Sequence, residues 1–393
     1  MWGKDDAAIA AYINGLQLHV LIDLIGRIPH NHHAVLGYRP APVQIVAIYA
    51  ATTASPFIDY FITDSVASPP ELSHLFTESL ILMPISHFVN NQRSLAPVPR
   101  NNRHAAAAFG AGGTAAAFNS FYKMDPARAR SWWRVLNAVP NSSIMFVKYL
   151  YWQTARSTIM SHAEQHNISR ARVHFVDKVP SFLLHLQVAT LIPHLRKPKV
   201  FSVVCRSQPP NLPPQRVREC AVFLDCDKCA RRLDSRMRPA LALTPRRYNA
   251  MTGGLDVLYS GVPAVTLPGE DFSSRVLTSM LVYHGAAATV ARSATDYERL
   301  AEALLCADLH ARHEAHGEGS RKPSCRSSPR QADAIQRLLL HLDSHRHTGT
   351  LFNTQAWVTC AEAALRMAVD LRAFAPKRLH HAVVARHVCA PSL

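Results

Sequence analysis

The stretch Tyr248–Leu281, YNAMTGGLDVLYSGVPAVTLPGEDFSSRVLTSML, reads as a turn, an amphipathic helix, an apolar strand and a second helix. Its Thr252-Gly253-Gly254 turn opens the first of those helices. Amide groups at a helix N-terminus favour anions, and glycine lets backbone approach a ligand closely, so a diphosphate suits this turn. A capped helix without a ligand also accounts for Thr-Gly-Gly taken alone. The sequence around it decides between the two.

The same strand-helix rhythm recurs upstream. Strands are expected over Ala115–Phe121, Ser143–Val147, Arg172–Val176, Ala221–Asp225 and Ala264–Leu267, and helices over Ala127–Ala138, Thr154–His166 and Phe272–Tyr283. Such repetition favours a parallel sheet wrapped by helices. Nearer the N-terminus, Gln17–Ile25 reads as a buried strand, followed by strands over Val43–Ala50, Phe57–Thr63 and Leu80–Pro84, enough for half of an open α/β domain. Between the two series, Val98–Ala117 is rich in Ala, Gly and Asn and marks a boundary. The expected organisation is a partial first lobe over 1–100, a linker over 101–117, a second lobe over 118–375 ending in a helix over Thr354–Phe374, and a basic tail over 376–393. Three stretches break the rhythm and read as insertions or loops, near 181–215, 226–247 and 311–331.

Composition narrows the function. Hydrophobic residues make up 48% of the 393-residue chain and charged ones 18%, which excludes a disordered protein. Lys and Arg outnumber Asp and Glu by 43 to 27, a formal charge of +16 that suits an acidic ligand. The basic residues are scattered, and the densest group, Arg231 to Arg247, lies in no nucleic-acid module, so nucleic acid is not the expected partner. Asp5 and Asp6 stand where a signal peptide would be basic, and no apolar run is long enough to span a membrane. The eight irregularly spaced cysteines then read as free thiols of a reducing compartment. Cys226 and Cys229 form a CxxC with no second pair, and His30, His32 and His33 lack a spaced acidic or Cys partner, so no metal site is expected.

Taken together, HVLIDLIG (19–26), YRPAPVQ (38–44), FIDYFITDSVASPPE (57–71), FNSFYKMDP (118–126), VLNAVPNS (135–142), the opening stretch and TGTLFNTQAW (348–357) resemble the catalytic region of the protein O-GlcNAc transferases and their Spindly-type O-fucosyltransferase relatives, family 41 of the glycosyltransferases. The resemblance implies a GT-B fold: two Rossmann-like lobes, here with the first incomplete, holding a nucleotide sugar in the cleft between them. It implies transfer of GlcNAc from UDP-GlcNAc to Ser or Thr hydroxyls of cytoplasmic or nuclear proteins, with inversion and without a metal or other cofactor. ITDSVASPPE and VLNAVPNS lean instead toward the fucose enzymes, which use GDP-fucose. A non-catalytic nucleotide- or partner-binding remnant of the fold is the reading from outside the enzyme class.

Residue by residue, the resemblance places Lys123 against the donor diphosphate, where its ammonium would offset charge on the leaving nucleotide. Asn119, in the same segment, is implied as a contact to the nucleotide sugar. Thr252 and Gly253 stand where the family has two threonines on the phosphates, Met251 where it has a histidine beside the nucleotide, and Asp256 where an aspartate receives the ribose hydroxyls. Val179 is implied as a backbone contact to the base, and Arg216 as an arginine near it. Ser120, Ser181 and Leu184 depart from the family's glutamine, lysine and histidine. The first-lobe turn Ile48–Ser55 carries side chains where glycine or proline is usual, atoms that would fill space needed by the sugar. The chain reads as beginning inside the first lobe, without the upstream histidine segments and without the tetratricopeptide repeats of such enzymes. His19, His30, His32 and His33 match no catalytic motif, so no base is assigned.

Overall fold

A computed structural model describes residues 5–27, 31, 33–48, 51–94, 113–177, 239–316, 325, 328–374 and 379–389. Two parallel sheets of five strands each form its frame. The first has the order β1-β2-β3-β4-β10, from β1 (Val20–Asp23), β2 (Val43–Ala47), β3 (Tyr60–Asp64), β4 (Ser79–Met83) and β10 (His381–Val383). The second has the order β7-β6-β5-β8-β9, from β5 (Thr114–Ala117), β6 (Ser143–Val147), β7 (Val173–Val176), β8 (Leu241–Leu243) and β9 (Ala264–Val265). Strands β2 to β6 are buried along their whole length, which is why they read as unbroken apolar runs.

Several expectations give way here. Gln17–Ile25 is not a buried strand: only Val20–Asp23 pairs, with β2 on one side, and Leu18, Ile22, Leu24 and Ile25 are exposed along that edge. Residues 114–117 are not linker but the central strand of the second sheet, flanked by β6 and β8. The Arg-dominated stretch 226–247 contains β8, whose apolar run Leu241–Leu243 is too short to stand out among arginines. Residues 376–393 include β10, parallel to β4, and a short helix, so this stretch is no mere basic tail. The expected strand Ala221–Asp225 lies outside the described residues.

Helices cover the sheets. In chain order they are α1 (Asp6–Gly15), α2 (His33–Gly37), α3 (Pro126–Ala138), α4 (Trp152–Gln165), α5 (Thr252–Tyr259), α6 (Val276–Tyr283), α7 (Ala294–His316), α8 (Pro329–Thr348), α9 (Thr354–Phe374) and α10 (Arg386–Cys389). Asp125 starts α3 by accepting from the Arg128 amide, with Pro126 at the first helical position. Ser328 and Gln331 form a capping box that starts α8, so the stretch 311–331 is bracketed by helix at both ends. Helix α9 does not belong with the second lobe as expected. Its small residues Cys360, Ala363, Ala364 and Ala368 form one buried face against Val43, Ile45, Ile62 and Ile81 of the first sheet. Small side chains at helical spacing let this helix lie close on the strands.

Trp132 and Trp133 of α3 anchor the core of the second sheet with Phe146, Leu304 and Leu305. A shared core joins the sheets: Val46, Phe61 and Leu80 of the first and Ala116, Met145 and Ala242 of the second belong to one buried cluster with α5 and α6. At its centre lies Asp64, fully buried at the end of β3. Its Oδ1 accepts from the Val66 and Ala67 amides at 3.0 and 2.9 Å. Its Oδ2 accepts from the His87 amide at 3.0 Å and the Ser279 hydroxyl of α6 at 2.7 Å, and lies 2.5 Å from the His87 ring. Burial alone would push the Asp64 pKa up, but the His87 ring and the donated N–H groups outweigh it and hold the carboxyl below its ordinary value.

Two stability predictions follow from this packing. Asp64→Ala strands the His87 and Ser279 donors in the core and costs about 3–5 kcal/mol in urea unfolding. In the parent chain this contribution is in place above the unfolded carboxylate value of about 4 and is lost as pH falls through the lower folded value. Gly254 of α5 faces α6, where an added Cβ would stand 2.8 Å from Leu277 Cδ1 and 3.4 Å from Met280 Sδ. Gly254→Ala is therefore expected to cost roughly 1–3 kcal/mol by the same measurement; an unchanged midpoint would remove the packing argument.

Candidate functional site

In the second sheet the strand order reverses between β5 and β8, neighbours that pair in parallel through Ala115 and Leu241. Ligands of open parallel sheets sit beyond the carboxyl ends of the strands at such a reversal. Two loops emerge there. One follows β5 and carries Asn119, Ser120 and Lys123; the other follows β8 and carries Tyr248, Met251 and Thr252. They meet: the Lys123 ammonium lies 3.7 Å from the centre of the Tyr248 ring. Burial pulls the Lys123 pKa down to about 8.

Helix α5 begins at the second loop. Met251, at its N-cap, supplies no side-chain cap; the Gly254 amide donates to the Met251 carbonyl at 2.9 Å, and the amides of Thr252 and Gly253 precede the helix's own bonds. The Thr252 side chain is exposed there and Gly253 half-buried. Gly254 has a different role from the one read in the sequence: it is buried, and its bare Cα serves the packing on α6. Asp256 lies one turn on, past the helix's first turn. Its Oδ1 accepts a 2.9 Å hydrogen bond from the Gln92 side chain, which comes from the first half of the chain. Burial raises the Asp256 pKa, and the Gln92 bond opposes that rise. The nearby Tyr149 hydroxyl donates to the Phe118 carbonyl at 3.2 Å, and its pKa is raised by burial and then by Asp256.

Thus Asn119, Lys123, Met251, Thr252, Gly253 and Asp256 all lie on the two loops and the helix that meet at this crevice. Val179 and Arg216 fall outside the described residues. Sequence reading missed Gln92 and Tyr149, which sit in no spaced motif and reach the crevice only through folding, and it gave no role to Tyr248, which opens the Thr252 stretch. Behind the Lys123 loop a cavity of about 470 Å³ opens between α3 and α4, lined by Phe121, Tyr122, Trp133, Tyr151 and His162. It includes Ser120 but neither Thr252 nor Asp256, so it adjoins the crevice rather than forming it.

The first sheet contributes the turn after β2. Ile48 and Ala54 have φ of 62° and 52°, the left-handed region that glycine enters freely and a β-branched residue rarely does. In this turn the side chains of Thr53 and Ser55 find partners within the first half of the chain. Both are buried: Thr53 donates its amide and hydroxyl to Glu78, and the Ser55 hydroxyl lies 2.5 Å from His33 Nε2. His33 Nδ1 is 3.8 Å from Asp23 Oδ2, and burial lowers the His33 pKa against the pull of Asp23.

The cysteines differ from the sequence reading. Among the described residues, Cys306 and Cys325 form one disulfide and Cys360 and Cys389 another, although irregular spacing suggested free thiols. Spacing along the chain carries no information about distance in a fold whose last helices return to earlier strands. Cys226 and Cys229 lie outside the described residues. Among the described residues no helix is long and apolar enough to cross a membrane.

Comparison with known proteins agrees with this architecture. The sequence profile described as Glycosyl transferase family 41 matches residues 4–105 and 240–317, which include most of the first sheet and the Thr252 helix. The chain is 25% identical over 358 residues to the probable UDP-N-acetylglucosamine–peptide N-acetylglucosaminyltransferase SEC of Arabidopsis thaliana, a match covering 89% of this chain and 29% of that protein. It is 27% identical over 313 residues to the SPINDLY protein of Eustoma exaltatum subsp. russellianum, covering 77% of this chain and 28% of the relative. The chain thus spans less than a third of the length of these relatives. Among solved structures, a mutant of the Thermobaculum terrenum O-GlcNAc transferase superposes with a TM-score of 0.67 at 19% identity, over 95% of this chain and 57% of the other. The profile match and the long collinear similarity to the plant proteins agree in making this chain similar to glycosyl transferase family 41, and the solved structure shares its two-sheet fold.

Proposed function

We propose that this chain contains the donor-binding part of a protein glycosyltransferase that moves GlcNAc from UDP-GlcNAc to Ser or Thr hydroxyls of intracellular proteins, cytoplasmic or nuclear, with inversion and without a metal. One observation carries the reading: Lys123 and the loop leading into Thr252 meet at the reversal between β5 and β8. In this proposal the diphosphate lies on the Thr252 hydroxyl and the first amides of α5, and Gly253 keeps an amide where the family has a second hydroxyl. Lys123 moves from the Tyr248 face to the phosphate and offsets charge as the nucleotide leaves. Asp256 keeps Oδ2 available for the ribose hydroxyls while Gln92 holds Oδ1. The names of the plant relatives, which specify UDP-N-acetylglucosamine and a peptide, support the donor and the acceptor class.

The lysine gives this proposal a pH signature. With a pKa of about 8 in the free protein, Lys123 is charged near pH 7, half discharged near pH 8 and largely neutral above pH 9. A bound diphosphate restores the charge, so UDP binding at pH 8 takes up protons, and affinity falls as pH rises from 7 to 9. Calorimetry in two buffers of different ionisation enthalpy measures both effects. Lys123→Ala is expected to abolish the proton uptake and weaken UDP roughly 10- to 100-fold, the worth of one charge-assisted hydrogen bond. Preference for GDP over UDP would move the assignment to fucose transfer. Binding of neither nucleotide would leave a non-catalytic remnant of the fold.

A further inference from the structure

Away from the crevice, α7 carries Cys306 and, one helical turn further on, His310. Residues four apart share a helix face. Cys306 is buried against the core of the second sheet, and His310 is half-buried. Cys325 reaches the same point from beyond the helix, so that two sulfurs and an imidazole nitrogen lie within 4.8 Å of one another. Here the sulfurs are joined as a disulfide, and His310 Nε2 lies 3.1 Å from the Cys325 carbonyl.

A disulfide needs no imidazole beside it. Cys360 and Cys389, also bonded, gather no third donor among the described residues, where Cys306, His310 and Cys325 are the one such group of three. Two thiolates and one neutral imidazole are the donor set of tetrahedral zinc sites, with the fourth position left to water; magnesium and calcium prefer oxygen. We propose that Cys306, His310 and Cys325, once reduced, bind one zinc-type divalent cation and clip the end of α7 to the chain that leads into α8. A thiol reductant first opens the disulfide, supplying two electrons and two protons to give two thiols. Each thiol then releases its proton to solvent as its sulfur joins the metal, and His310 joins as neutral imidazole. The oxidised and metal-bound forms are mutually exclusive. This site is independent of the sugar-transfer proposal.

The test uses the full chain with Cys205→Ser, Cys220→Ser, Cys226→Ser and Cys229→Ser, which removes competing thiols outside the described residues. After anaerobic reduction and removal of the reductant, the protein is titrated with Zn²⁺ and, separately, with Co²⁺. The expected result is one equivalent of zinc per chain, and a cobalt spectrum with thiolate charge transfer and the intense visible bands of tetrahedral coordination. His310→Ala, a half-exposed position that the fold tolerates, should weaken zinc by at least about tenfold, the lower end of the 10–100-fold loss typical even for outer partners of a metal ligand. Cys325→Ser should do the same and remove half of the charge-transfer intensity. Zinc should also raise the melting temperature of the reduced parent more than that of His310→Ala. No uptake by the reduced protein, or uptake that ignores both substitutions, overturns the proposal.

Discussion

The arrangement of the crevice depends on one buried carboxylate. Asp64 is the last residue of β3, and its two oxygens are engaged by the backbone after β3, by His87 and by Ser279 of α6. A charge in such a place is unfavourable unless every lone pair finds a donor, and that requirement fixes three separate chain segments at one point. The His87 segment then acts as a strap. His87 O accepts from the Trp357 indole, Asn90 donates to Leu351 O and its own carbonyl receives the Thr354 hydroxyl, and Gln92 ends on Asp256. Arg275 adds a bond from the second half of the chain to Val66 O. Loss of the Asp64 node would thus loosen the placement of Gln92, and with it one wall of the crevice.

Much of this was legible in the sequence because the sheets are parallel. A strand buried on both faces must be apolar throughout, so Ser143–Val147 appears with its boundaries unchanged. The strands that escaped were β8 and β10, three residues each, set among arginines and histidines. Strand β10 pairs through backbone groups while two of its three side chains are exposed, and backbone pairing leaves no side-chain signature. The sequence shows a helix over Thr354–Phe374 but not which sheet it would cover. Only the folded chain shows that it crosses back to the first.

At the crevice the division is similar. Lys123, Asn119 and Thr252 were visible because they stand in ordered motifs, whereas Gln92 and Tyr149 are single residues outside them, and Tyr248, though in the Thr252 motif, finds its Lys123 partner only in the fold. Gly254 was visible but given the wrong reason. Its neighbour Gly253 faces the turn, while Gly254 removes a clash with Leu277. Two adjacent glycines on a helix point about 100° apart, so a shared motif does not imply a shared task.

The unliganded electrostatics give the site its direction. Lys123 and Asp256 are both shifted by burial toward their neutral forms, the lysine downward and the acid upward. Each is held by an uncharged partner, an aromatic face for the lysine and an amide for the acid. Direct pairing of the two would neutralise both, and an incoming anion would then have to break an ion pair before gaining anything. Neutral supports avoid that competition, because displacement from a ring face costs far less than separation of two buried charges. In the proposed function, a diphosphate entering between the loops meets a partly desolvated cation whose present partner is an uncharged ring. In the same proposal Asp256, whose carboxyl burial raises toward the neutral form, accepts hydroxyl donors rather than the phosphates. In the proposed function, one buried cation and one buried carboxylate on different neutral supports would set the phosphates toward Lys123 and the ribose toward Asp256.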